Sequence, residues 1–149
     1  MTGLPVIRNG KRIGRAACVE LTEDLTRMRG LYVDCGLRGG RYIPEQSISV
    51  MGEVSILADE RGKRASAKNS ALLRRALSTD GQLLGAVSNA MIDEATRTVE
   101  ALELSRGFID DLFLGRRWIR QFTVNRDSGD VIFPGSGQAR PRPKGGGIL

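Results

Sequence analysis

The chain has 149 residues, a net charge of +6 and an isoelectric point near 10. It contains no histidine, which removes the commonest general base and metal ligand, so neither an enzyme nor a metal or other cofactor site is expected. No apolar run approaches the roughly 20 residues of a membrane helix, and Met1-Thr2-Gly3-Leu4-Pro5 lacks the charged start and apolar core of an export signal.

In chain order, Val6-Ile7 leads into Asn9-Gly10, a hairpin signal because both residues tolerate positive φ. Ile13 to Leu21 alternates loosely as a half-buried strand should, Thr22-Glu23-Asp24 reads as a turn, and Met28 to Asp34 reads as the next strand, with Met28, Gly30 and Tyr32 on one face. The loop Cys35 to Gly40 follows. Arg41-Tyr42-Ile43 is then a short strand stopped by Pro44, and Ser47–Val50 with Val54–Leu57 forms a closing hairpin about Met51-Gly52-Glu53.

Asp59 to Ser70 (DERGKRASAKNS) has the composition of a surface connector, with one or two helical turns expected over Ala65 to Ala71. The same strand plan then returns. Leu72 to Leu77 enters Asp80-Gly81, Leu83 to Ile92 is the long strand, and Thr98 to Leu104 follows. After a loop from Ser105 to Gly115, Arg117-Trp118-Ile119 forms a strand, and Phe122–Asn125 with Val131–Phe133 closes about Ser128-Gly129. Gly135 to Leu149 (GSGQARPRPKGGGIL) offers no face that could pack and is expected to be disordered.

The return is an internal repeat. Val6 to Val33 aligns without a gap on Leu77 to Leu104 at an offset of 71, and Arg41-Tyr42-Ile43 matches Arg117-Trp118-Ile119 at 76, so five residues are inserted. The shared marks are Gly10 and Gly81, Ile13-Gly14 and Leu84-Gly85, and Glu23 and Glu94. The fold class expected is therefore all-β: two tandem small β-barrels, with a first module over 1–58, the connector over 59–70, a second module over 71–134 and a basic tail over 135–149. Modules of about seventy residues bury only about 60% of their unfolded surface, so the two are expected to pack together or to lean on a partner.

The motifs resemble the PRC-barrel family, named after the photosynthetic reaction-centre H chain. They are the NG or DG turn, the aliphatic-Gly step, the strand Arg29-Gly30-Leu31-Tyr32-Val33, and Tyr42-Ile43-Pro44 leading to Ile48 and Gly52-Glu53. The second copy departs from the pattern, with Arg120 in place of the Pro and Ala86 where Arg15 follows Gly14. The resemblance implies small all-β barrels without a shared catalytic site, used as adaptors. It supplies no catalytic residues to carry over.

Charge is distributed unevenly. Residues 1–58 hold eight basic and six acidic groups, 76–134 six and nine, 59–75 six and two, and 135–149 three and none. The excess belongs to connector and tail, where Arg61, Lys63, Arg64, Arg140, Arg142 and Lys144 are candidate phosphate contacts. Asp110-Asp111 reads as a solvated loop pair, and Asp127-Ser128-Gly129-Asp130 lacks the remaining ligands of a calcium loop.

The loop 107–115 is rich in large apolar residues, so it either caps a barrel or presents Phe108, Ile109, Leu112 and Phe113 to a partner, with Trp118 beside them. The function expected is a non-catalytic adaptor or scaffold that recruits a protein partner through barrel surfaces. Open strand edges also make a homodimer an expected form. The alternative is an RNA- or ribosome-associated maturation factor gripping phosphates through connector and tail. A membrane role has no anchor or amphipathic helix to support it. Cys18 and Cys35, without a CxxC pair, fit free thiols in the cytoplasm, with a Cys18–Cys35 bridge as the alternative.

Overall fold

A computed structural model describes residues 2–67, 74–106 and 117–134. Thirteen strands form two antiparallel-dominated sheets, each curled into a half-barrel, and no α-helix occurs among the described residues. The first sheet is built from β1 (Pro5–Arg8), β2 (Lys11–Leu21), β3 (Met28–Asp34), β4 (Gly40–Pro44), β5 (Ile48–Met51), β6 (Ile56–Ala58) and β7 (Lys63–Arg64). Its order is β5-β6-β1-β2-β3-β4-β7. The second holds β8 (Arg75–Ser78), β9 (Leu83–Ile92), β10 (Val99–Ser105), β11 (Arg117–Ile119), β12 (Thr123–Val124) and β13 (Val131–Phe133). Its order is β11-β10-β9-β8-β13-β12. In both, a meander is closed by a strand that returns parallel to the first: β6 beside β1, and β13 beside β8.

The segment expected to serve only as a connector is also part of the first sheet. Lys63 and Arg64 pair with Tyr42 and Arg41, and the Ala65 N–H donates to the Gly40 carbonyl at 3.1 Å. Gly40 permits this, since a Cβ there would lie 2.4 Å from the Ala65 carbonyl oxygen. Ala65 to Ala67 carry no helical turn, and the remainder of the helix expected over Ala65 to Ala71 lies outside the described residues, as does the tail.

The repeat is real, but it is not gapless. In the first hairpin Asn9 (φ 49°) and Gly10 (φ 72°) make a two-residue loop with Arg8 opposite Lys11, and positive φ at both positions is the type I′ signature. In the second, the Ser78 N–H donates to the Gln82 carbonyl and Gly81 alone has positive φ, which gives a three-residue loop. The extra residue shifts the opening strand, so Val6, opposite Gly14, corresponds to Ala76, opposite Gly85. The offset is 70 there and 71 beyond the turn. Both Val6 and Ala76 are fully buried.

The aliphatic-Gly step has one physical cause in both copies. A Cβ on Gly14 would sit 2.4 Å from the Asp34 carbonyl oxygen, and one on Gly85 would sit 2.4 Å from that of Ser105. These acceptors are themselves 71 residues apart. Each glycine marks a point where the long second strand passes too close to the third for any side chain.

The modules meet about a pseudo-twofold axis. Arg27 and Thr98, equivalent residues of the two copies, form a β-bridge. The Met28 N–H donates to the Arg97 carbonyl at 2.9 Å and the Val99 N–H to the Thr26 carbonyl at 2.8 Å, and each bond maps onto the other under the 71-residue shift. The buried apolar side chains of both sheets, Leu31 and Val33 with Leu102 and Leu104 among them, belong to one continuous cluster. Neither half-barrel encloses a core alone. Sharing one is the physical answer to the small size of each.

Both turns at this seam hold a non-glycine residue at positive φ: Leu25 (φ 57°), which is buried, and Arg97 (φ 61°). Arg97 is only 8% exposed. Its Nη2 donates to the Ile48 carbonyl at 3.2 Å, while its buried Nη1 has no partner. A buried cation without a carboxylate costs more desolvation than one bond to a carbonyl returns. Arg97→Met, which keeps the stem and removes the charge, is therefore expected to leave stability unchanged or to raise it by about 1 kcal/mol. A clear fall in urea midpoint would show that the Ile48 bond dominates.

Candidate functional site

Two rims of the first sheet and one of the second carry the exposed chemistry. On the β5–β6 rim, Val50 lies directly opposite Leu57, and they are 46% and 39% exposed, with Val54 in the connecting turn at 79%. The neighbouring strand places Ile7 opposite Leu57. Beneath them Ile48, Met51, Ile56 and Ala58 point into the core. The hairpin is thus apolar on its buried side and bears exposed valine and leucine as well, which is unusual for a surface that meets only water. The sequence reading placed this hairpin without recognising its exposed side. The available signal was Val50 and Val54 standing among residues that already supply a full core stripe.

On the opposite rim β7 brings Lys63 and Arg64 beside β4. Gly40 and Ala65 are directly opposite and hydrogen-bonded, so by alternation Arg41 and Arg64 form a non-hydrogen-bonded pair, the class with closer side chains. Two arginines facing each other this way repel. Arg41 donates from Nη1 to the Gly62 carbonyl at 2.9 Å, and neither arginine forms an ion pair among the described residues. Of the candidate phosphate contacts, Arg61, Lys63 and Arg64 are thereby gathered, exposed, at one edge. Arg140, Arg142 and Lys144 lie outside the described residues, and so do Phe108, Ile109, Leu112 and Phe113 of the expected partner loop.

Between these rims a cross-strand row crosses the outer face of the first sheet: Cys18, Tyr32, Tyr42 and Lys63. Tyr32 and Tyr42 stack at a tilt, with ring centroids 5.0 Å apart. Gly30 makes room for the Tyr42 phenol, since a Cβ there would lie 2.4 Å from its oxygen. Met28 to Val33 is therefore buried on both faces except at Arg29. Burial raises both phenols above the ordinary value, and for Tyr42 a hydrogen bond to the Glu20 carboxylate raises it further.

Because neutral tyrosine is the favoured form, this stabilisation is fully present below about pH 10 and is lost as pH rises through the raised values. The chain has only two tyrosines. Spectrophotometric titration is expected to ionise both phenols at higher pH in the folded protein than in urea. Equal curves in both solvents would refute the buried pair. Cys18 shares this face and its thiol is likewise pushed up by burial, whereas Cys35 packs against the core, and both are free thiols.

The second sheet repeats the row with different chemistry. Asn89, Glu103 and Trp118 replace Cys18, Tyr32 and Tyr42, and the Ser88 hydroxyl donates to the buried Glu103 carboxylate at 3.2 Å. Trp118, half-buried, is the one expected partner-binding residue that the structure describes. Its strand β11 forms the last described strand of its sheet, and no counterpart of β7 lies beside it among the described residues. The Tyr42 row continues to Lys63, whereas Trp118 is the last described residue of its row.

One ion pair among the described residues is structural. Arg75 clasps Asp130 through two bonds, Nε to Oδ1 at 3.0 Å and Nη2 to Oδ2 at 2.8 Å, tying β8 to the turn before β13. That guanidinium holds the Asp130 carboxyl below its usual value. No helix among the described residues is long and apolar enough to cross a membrane. Compared with known proteins, the chain matches no family model and no curated protein.

Proposed function

We propose that the chain is a non-catalytic adaptor that binds a protein partner through the rims of its β-sheets. The observation that carries this reading is the apolar Val50–Leu57 pair, exposed with Val54 on a rim of a molecule that already has a complete core beneath it. Such a patch gains free energy when a partner removes it from water. The PRC-like motifs support the same reading, because proteins of that family serve as adaptors. The absence of histidine from the whole chain agrees with a role that moves no protons.

The test is capture of partners from the host lysate with tagged protein, in parallel with Leu57→Asp and with RNase. The expected result is a protein that survives RNase and is lost with Leu57→Asp, while the variant keeps the far-ultraviolet spectrum of the parent. Retention of that protein by the variant would sink the apolar rim as the site.

A second reading, an RNA-associated factor, is favoured by one specific observation: Arg41 facing Arg64 with Lys63 and Arg61 at the same edge, a repulsion that phosphate would relieve. Captured material that disappears with RNase and is unaffected by Leu57→Asp would put this reading first.

A further inference from the structure

The apolar rim of the first sheet has a direction. Its row runs on past Val50 and Leu57, because Ile7 stands opposite Leu57 and Arg12 stands opposite Ile7. Residues directly opposite one another point to the same face, so these four side chains form one stripe on the outside of the sheet, while Val6 and Ile56 point into the core. Strands lie about 4.8 Å apart, so the three apolar side chains span about 10 Å and Arg12 comes one spacing later. The register shift between Val6 and Ile7 keeps Arg15, opposite Pro5, on the same face as Arg12. Asp34 stands opposite Arg15 and offsets its charge, so Arg12 is the exposed cation that ends the stripe. Carboxylates gather at the other end: Glu53 is exposed beside Val54 in the β5–β6 turn, and Asp59, just past β6, accepts from the Ser49 hydroxyl at 2.8 Å.

The second sheet repeats the row, with Thr123, Ile132, Leu77 and Leu83 opposite one another in the same order. Leu83 lies 71 residues after Arg12 and is exposed as Arg12 is. The backbone thus builds the same stripe in both modules, and its last residue is a cation in one and leucine in the other.

We propose that the stripe Val50–Leu57–Ile7–Arg12 binds an acidic segment of a partner protein, with apolar residues on the first three side chains and a carboxylate on Arg12. This rests on the adaptor reading and names the chemistry of its partner. Charge complementarity carries it. The Arg12 guanidinium suits a carboxylate, which can accept two parallel N–H bonds. Glu53 and Asp59 at the far end repel a ligand that is anionic along its whole length, such as a phosphate backbone or an anionic lipid surface, and favour a segment whose negative charge sits at one end. Apolar contact would give affinity, and the terminal charge would fix direction.

The experiment measures binding of a labelled peptide, three leucines followed by three glutamates, to the full chain by fluorescence anisotropy. Two altered peptides accompany it, with glutamine or lysine in place of glutamate. The expected result is saturable binding that weakens at least about tenfold in Leu57→Asp. Binding should weaken about fivefold in Arg12→Glu, and that variant should prefer the lysine peptide. Arg12→Leu, which gives the first stripe the end residue of the second, should bind the glutamate and glutamine peptides equally. Both positions are exposed, and unchanged urea midpoints confirm that the variants are folded.

Four results would overturn the proposal. In the first, the glutamate peptide shows no saturable binding, or binds the parent no better than the glutamine peptide. In the second, Arg12→Glu leaves the order of the three peptides unchanged. In the third, phosphatidylcholine vesicles containing phosphatidylserine, or a ten-nucleotide RNA, bind in an Arg12-dependent way and the peptide does not. In the fourth, a dimer in solution is abolished by Leu57→Asp, which would give the stripe to a second copy. Failure of the peptide, with a host protein still lost from Leu57→Asp, rejects this inference and leaves the adaptor reading standing.

Discussion

Gly14→Ala is expected to destabilise the protein by about 2–3 kcal/mol, the upper part of the range for forcing an atom into a filled interior. The new methyl would lie 2.4 Å from the Asp34 carbonyl oxygen and 2.6 Å from a Val33 methyl, and strand β3, which holds both, is fixed between β2 and β4. Neither contact is the far end of a flexible side chain, so the sheet itself must open. Gly85→Ala should cost at least as much, because the same collision with Ser105 is joined by a φ of 145°, which non-glycine residues rarely adopt.

Gly10→Ala provides the contrast. Nothing lies within 4 Å of a Cβ there, so only the left-handed φ of 72° is penalised, by about 1 kcal/mol. Urea unfolding followed by the fluorescence of the single tryptophan ranks the three. If Gly14→Ala costs no more than Gly10→Ala, close strand approach is not what the aliphatic-Gly step serves.

Leu31→Ala should cost about 2–5 kcal/mol, and Leu102→Ala the same. These leucines are equivalent under the repeat, both 0% exposed, and belong to the one cluster that both sheets line. A loss of that size is a large part of the total for a domain, about 5–15 kcal/mol. The more telling outcome concerns cooperativity. Trp118 lies in the second sheet and Leu31 in the first. With a shared core and symmetric seam bonds, Leu31→Ala is expected to shift the Trp118 transition and the whole-chain circular dichroism transition together. A Trp118 midpoint unmoved by Leu31→Ala would mean that the modules unfold separately and that the seam couples them weakly.

Much of the strand plan was legible because its signals are local. The positive φ required by Asn9-Gly10, the alternation through β2 and β9, and Pro44 ending β4 each involve neighbours in sequence. Met28–Asp34, Leu83–Ile92, Arg117–Ile119 and Val131–Phe133 fall where those patterns put them. The misreadings have non-local causes. Lys63-Arg64 carries no strand pattern of its own and becomes one because β4 offers an edge and Gly40 lets the backbone close in. The shift from 71 to 70 in the repeat hides in a DG turn that closes with one more residue than its NG counterpart.

The candidate surfaces divide in the same way. Arg61, Lys63 and Arg64 could be named from charge, but their apposition to Arg41 depends on a pairing across more than twenty residues. Exposure of Val50 and Leu57 went unread because an isolated apolar residue in a strand reads as core until the sheet shows which face is covered.

By itself the sequence determined an all-β chain of two related modules, their turns and most strand limits, since these follow from backbone torsions and a two-residue side-chain period. Tertiary structure alone decided that the half-barrels share one core about a pseudo-twofold axis, that Arg97 lies buried at their seam, and that Lys63-Arg64 pairs with the edge of β4. Those outcomes depend on which distant segments compete for the same edge or face, and neither torsion nor periodicity carries that information.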